Sequence, residues 1–98
     1  MKFERFESVI LDGHKGLAFE IPFDPAERWG VAPVALWPGR RGHRVRGTVN
    51  GVRFESAVVT RARRFFVLVT DGMKKAGKLR SGSSVRVSLS AREPVVGS

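Results

Sequence analysis

Between residues 44 and 60 the chain alternates apolar and polar positions on both sides of Asn50-Gly51. Alternation with period two marks a strand with one face in a core, and Asn-Gly supplies the two positive φ angles of a two-residue type I′ turn. The pattern therefore predicts a hairpin and fixes its register. Val49 stands opposite Val52, Gly47 opposite Phe54 and Val45 opposite Ser56 on the core face, while Thr48 faces Arg53 and Arg46 faces Glu55 on the wet face. In this register the pairing of Arg46 with Glu55 gives the middle of the hairpin a structural role.

The same reading extends along the chain. Residues 3–11 form a strand of mixed polarity, ended by the turn composition of residues 12–16, and Leu17, Phe19 and Ile21 alternate in a second strand antiparallel to it. Pro22 ends that strand. Asp24 then caps a single helical turn, Pro25 suits its first position, Glu27 completes a capping box, and Gly30 closes it with Trp29 as a core plug beneath. Pro33 and Pro38 forbid a helix interior or a central strand, so residues 31–42 are expected to be a long loop with at most a short edge strand at 34–36. After the hairpin, Arg61-Ala62-Arg63-Arg64 turns tightly into Phe65-Phe66-Val67-Leu68-Val69, apolar on both faces and hence a central strand. Thr70 or Asp71 caps a short helix through Ala76 that Gly77 ends. A last strand at 84–91 turns Val85, Val87 and Leu89 inward. Residues 1–92 form one domain in this reading, with a loose tail at 93–98.

Six strands, two short helical turns and no long helix give an all-β architecture, a small closed or nearly closed antiparallel barrel, because closure protects many edges in few residues. Four stretches also carry a family resemblance: Ile21-Pro22-Phe23-Asp24-Pro25, then Val45-Arg46-Gly47-Thr48-Val49-Asn50-Gly51-Val52 with Phe54, then Met73-Lys74-Lys75-Ala76-Gly77, and the ending in which Gly82, Val85, Val87 and Leu89 are spaced as in a barrel strand. Together they resemble the domain of unknown function 1905 family over nearly the whole chain. The resemblance implies a small closed barrel of about six strands, joined in some proteins to a bacteriocin-protection type domain, and it implies no established chemistry. Two stretches depart from the family pattern. The segment between Gly30 and Val45 is longer, and the turn after the hairpin is Arg61-Ala62-Arg63-Arg64 where the family favours glycine. Both departures add arginine.

Composition changes the picture in one respect, charge. The chain of 98 residues has 18 Lys+Arg against 9 Asp+Glu, a net +9, and 13 of the basic residues are arginine. Residues 1–36 carry a net −2 and residues 37–98 a net +11. Such asymmetry bears on partners and association rate rather than on fold. Cysteine is absent, which excludes disulfides and thiolate metal sites. The charged start lacks a signal-peptide pattern, and the apolar run at 31–37 is far short of the ~20 residues a membrane helix needs, so a cytoplasmic protein without membrane contact is expected.

The hairpin register turns the charge into a location. The segment entering the first hairpin strand and the turn leaving the second lie at one end, which groups Arg40, Arg41, Arg44, Arg61, Arg63 and Arg64 with Trp37 and His43. Guanidinium forks match phosphates and an indole stacks a base, so this end is the candidate site for nucleic acid or another polyanion. The competing reading is a solvated loop end with Trp37 packed onto the barrel. Lys74, Lys75, Lys78 and Arg80 gather at the opposite end as solvating charges. No catalytic residues, cofactor or metal site emerge. His14 and His43 lack ligand spacing, no nucleophile elbow is present, and the near match of Gly72-Met-Lys-Lys-Ala-Gly77-Lys78-Leu79 to a phosphate-binding loop fails at Leu79, which has no hydroxyl for Mg²⁺. Two alternatives stand beside the polyanion reading. One is a small-molecule site in the barrel mouth framed by Trp29, Trp37 and Phe19, with an enzymatic role as one version of it. The other is a protein-interaction module docking through an exposed strand edge or the apolar loop at 31–37.

Overall fold

The structure is a computed structural model and describes residues 3–13 and 16–92. Its central hairpin joins β4 (Arg40–Val49) to β5 (Val52–Arg61), with every anticipated pair in place from Val49 opposite Val52 to Val45 opposite Ser56. Asn50 and Gly51 take φ of 51° and 83°, the left-handed pair that the turn demands. Asn50 also fastens the turn to the neighbouring strand. Its backbone N–H donates to the Arg86 carbonyl at 2.8 Å, and its side-chain oxygen accepts from the Arg86 N–H at 2.9 Å.

Around this hairpin the chain lays down β1 (Glu4–Asp12), β2 (Leu17–Ile21), β6 (Arg64–Val69) and β7 (Ser84–Ala91). All neighbours are antiparallel, in the order β4-β5-β6-β2-β1-β7, and β7 returns to pair with β4, which closes a six-stranded barrel. β6 is central as its two apolar faces predict, lying between β5 and β2. Closure needs a sharp corner where β4 meets β7. Gly47 supplies it, since a Cβ there would overlap the carbonyl oxygen of Ser88. Phe19, Ile10, Val45, Val67 and Leu89 fill the interior with no solvent exposure. Ladder pairing stops short in two places, and a serine bridges each gap. The hydroxyl of Ser8 donates to the Glu20 carbonyl at 2.7 Å, and that of Ser56 donates to the Leu68 carbonyl.

Two short helices close the ends. In α1 (Pro25–Trp29) Asp24 accepts from the Ala26 and Glu27 N–H groups, and Gly30 ends the turn at φ 66°. Phe23 and Trp29 meet edge to face at 5.3 Å, Phe23 meets Phe6 at 6.0 Å, and the group packs on the core. Arg28 ties the helix to β1 through a 2.6 Å ion pair with Glu4. In α2 (Asp71–Gly77) Thr70 is the cap, and the reciprocal capping box expected at Glu27 occurs here, with Met73 sulfur accepting from the Thr70 N–H. Lys78, rather than Gly77, takes the left-handed closing position at φ 52°, because Leu79 must turn down into the core, where it is buried.

The stretch at 31–42 differs most from expectation. The edge strand expected at 34–36 is present, one residue longer, but the rest is not a long loop. β3 (Val34–Trp37) runs back along the start of β4 through a tight Pro38-Gly39 turn, so β4 begins at Arg40. Pro33 and Pro38 flank the new strand instead of interrupting it, and as an edge strand it tolerates both. Leu36 is a bulged residue, because Ala35 pairs with Arg41 and Trp37 with Arg40. The resulting arm leans on the outside of the barrel. Leu36 packs there with Ala18, Val59, Phe66 and Leu68, a second small core that covers the outward face of β6. Gly42 permits the contact, since a Cβ would strike both Leu36 and the Val58 carbonyl. The expected tail at 93–98 and His14 lie outside the described residues.

Candidate functional site

The arginine-rich end divides into four parts. At the tip of the β3–β4 arm, Trp37 is 47% exposed, with Arg40 paired across from it and Arg41 one position further along. The residue that packs down onto the barrel is Leu36; the alternation of β3 turns the next residue, Trp37, outward. Arg41 donates to the Pro33 carbonyl at 3.2 Å, which steadies the base of the arm while leaving the side chain exposed. Beside the arm is the β5–β6 turn. Leu36 packs against the cluster that contains Val59 and Phe66, each two positions from an end of that turn, so the arm lies on the side of the barrel where the turn is.

The turn itself places Arg61 directly opposite Arg64 and holds Ala62 and Arg63 at φ 53° and 63°. Neither residue is the Gly or Asn that such a turn favours, and each left-handed residue costs about 1 kcal/mol. Arg64 does not add to a free cluster, because it grips Glu20 with two bonds of 2.8 Å. Arg61 and Arg63 are exposed and form no ion pair among the described residues. Arg44 is exposed on β4 and lines, with Arg92, a depression of about 230 Å³ that Val31 and Val34 also line. His43 turns inward. It is 7% exposed, and its Nε2 stands 2.7 Å from the Val31 carbonyl, so that nitrogen carries the proton and fastens the segment before β3.

Of the eight residues singled out in the sequence, the structure places Trp37, Arg40 and Arg41 on the arm and Arg61 and Arg63 on the β5–β6 turn. It leaves Arg44 exposed at the base of the arm, engages Arg64 with Glu20 and encloses His43. Of the residues expected to frame a pocket, Phe19 is fully buried, Trp29 packs against the core and Trp37 is exposed on the arm. Among the described residues there is no group of three or more potential metal ligands, and no helix is long and apolar enough to cross a membrane. The stretch at 72–79 forms a short helix between antiparallel strands with Leu79 buried, which is not the setting of a phosphate-binding loop.

A family model described as domain of unknown function 1905 (DUF1905) matches residues 6–89. The chain belongs to this family. The match spans the barrel from β1 to β7, including the arm and the turn. Comparison with curated proteins gives no match. Membership in DUF1905 accounts for the fold and assigns no chemistry.

One surface escaped the sequence reading. A groove of about 570 Å³ runs beside the central hairpin, lined by Arg46, Thr48, Arg53 and Glu55 together with Phe3, Gly47 and Phe54. The hairpin register already placed Arg46 and Arg53 on one face. Glu55 stands opposite Arg46 as the register predicts, and its carboxylate also meets Arg92 at 2.8 Å.

Proposed function

We propose that this protein is a non-enzymatic binding module for a polyanion, single-stranded nucleic acid foremost, which it engages with the arm and turn at its arginine-rich end. The observation that supports this most is the exposed Trp37 on an arm flanked by Arg40 and Arg41 and set beside the Arg61 and Arg63 turn. An indole offers a stacking surface that any base can use, and the guanidinium forks offer charge-assisted bonds to the backbone that joins the bases. Double-stranded nucleic acid fits less well because its bases are already stacked and an exposed indole gains nothing from them.

The test is a titration resolved in salt against single-stranded and double-stranded DNA and RNA, with heparin as a charge-only control. Neutralising four to six phosphates gives a log-log slope of about −3 to −5, with single strands preferred. Trp37→Ala should weaken single-strand binding by about 1–3 kcal/mol and leave heparin binding unchanged. A flat salt response, or equal loss for heparin and single strands, would overturn the reading.

A further inference from the structure

Two aromatic rings are exposed among the described residues, Trp37 on the arm at 47% and Phe3 in the groove beside the central hairpin at 45%. Both lie along β4. Trp37 pairs with Arg40, and the groove that Phe3 lines takes in Arg46, six positions further on, a separation along the strand of about 20 Å. We propose that a single strand held at Trp37 continues along the outer face of the hairpin to Phe3, with Arg44 and Arg53 as its phosphate contacts. Such a route rests on the single-strand site at the arm and adds a second stacking platform to it.

Strand alternation decides which side chains border the route. On β4 His43, Val45 and Val49 are buried in the barrel, so Arg44, Arg46 and Thr48 point outward, and on β5 Arg53 stands opposite Thr48 on the same outer side. Arg44 and Arg53 are exposed and form no ion pair among the described residues. Arg46 is already engaged within the fold and contributes no contact here. Glu55 is the acid on the outer faces of these two strands, and Arg92 holds it at 2.8 Å. The far side of the barrel offers no comparable path. There Ala18, Phe66 and Leu68 form an apolar surface beneath Leu36 of the arm, and Glu20 is gripped by Arg64. Any base can stack on an exposed ring, and guanidinium groups between two rings meet the phosphates that join the bases. The order Trp37, Arg44, Arg53, Phe3 along the hairpin therefore matches a ligand whose flat groups and negative charges recur along its length.

The probes are oligothymidylates of four and twelve nucleotides, titrated with the full chain by fluorescence anisotropy over a range of salt; the short one fits the arm alone and the long one fills the route. Trp37→Ala should weaken both. Phe3→Ala should weaken the longer strand about fivefold or more and leave the shorter one unchanged, with Phe3→Trp restoring the affinity. Arg44→Gln with Arg53→Gln, both at exposed positions, should make the log-log salt slope shallower by about 1.4 for the longer strand only. Weaker binding in Trp37→Ala with no change in the other variants would overturn the route and leave the arm site standing. Equal losses at both lengths in Phe3→Ala would also overturn the route, because they would mark Phe3 as a support of the fold. Binding of neither probe would remove the single-strand site and the route with it.

Discussion

At the residue scale the chain shows how far one side chain's surroundings decide its meaning. Trp37 and Trp29 are the same residue type, yet the alternation of β3 sends one indole into solvent while α1 folds the other onto Phe23. His43 follows Arg40 and Arg41 in a basic run and is nevertheless a buried anchor, because β4 turns every second residue inward and the Val31 carbonyl waits there. Ala62 is the clearest local compromise, since an alanine at φ 53° gives up stability that glycine would keep. Ala62→Gly should raise unfolding free energy by about 0.5–1 kcal/mol, read from the midpoint of urea denaturation. The turn places Arg63 beside it in the same left-handed conformation, so the two arginines at its edge are presented at some cost in strain.

At the element scale the arm is the feature on which the candidate site depends. The β3 strand is only four residues long, with a proline on either side, and it pairs with β4 alone. Such an edge strand gains little from its own hydrogen bonds, so its position rests on Leu36 packing with Val59 and Phe66. Leu36→Asp would place a carboxylate in that small core. The expected result is an arm that detaches while the barrel persists: amides at 34–41 lose protection from hydrogen exchange, those of Val45 and Val67 keep it, and the protein loses about 2 kcal/mol or less. Affinity for single strands should fall with the arm even though no arginine has been removed. Loss of the whole fold would show instead that the arm is part of the barrel's cooperative unit.

At the scale of the whole molecule, positive charge collects at two ends of the barrel and only one of them has an exposed indole. Lys74, Lys75, Lys78 and Arg80 surround α2, while Arg61 and Arg63 lie at the opposite end with the arm. Charge alone predicts that reversing either pair costs the same. A built site predicts otherwise. Arg61→Glu with Arg63→Glu should lower single-strand affinity by about tenfold or more at moderate salt, whereas Lys74→Glu with Lys75→Glu should change it by no more than about threefold, as measured by fluorescence anisotropy. Equal losses would reduce the protein to a diffuse polycation.

Local rules were enough to determine a great deal. The Asn50-Gly51 turn and the period-two pattern set the hairpin register, Asp24, Pro25 and Gly30 delimit α1, and the need to protect edges leads to a closed barrel of six strands. Each depends on neighbours a few residues apart or on a face that must leave water, and both are written in the sequence. Of the arm, the short edge strand at 34–36 was legible but its hairpin with β4 and its seat were not, because a strand at the edge is held by whatever lies beneath it, here Val59 and Phe66, which come more than twenty positions later. The partners of the charged residues were hidden for the same reason. Glu20 lies 44 positions from Arg64, and Arg92 reaches Glu55 only because β7 returns to β4. The sequence supplies the arginines, and closure of the barrel decides which of them are spent on carboxylates and which face solvent.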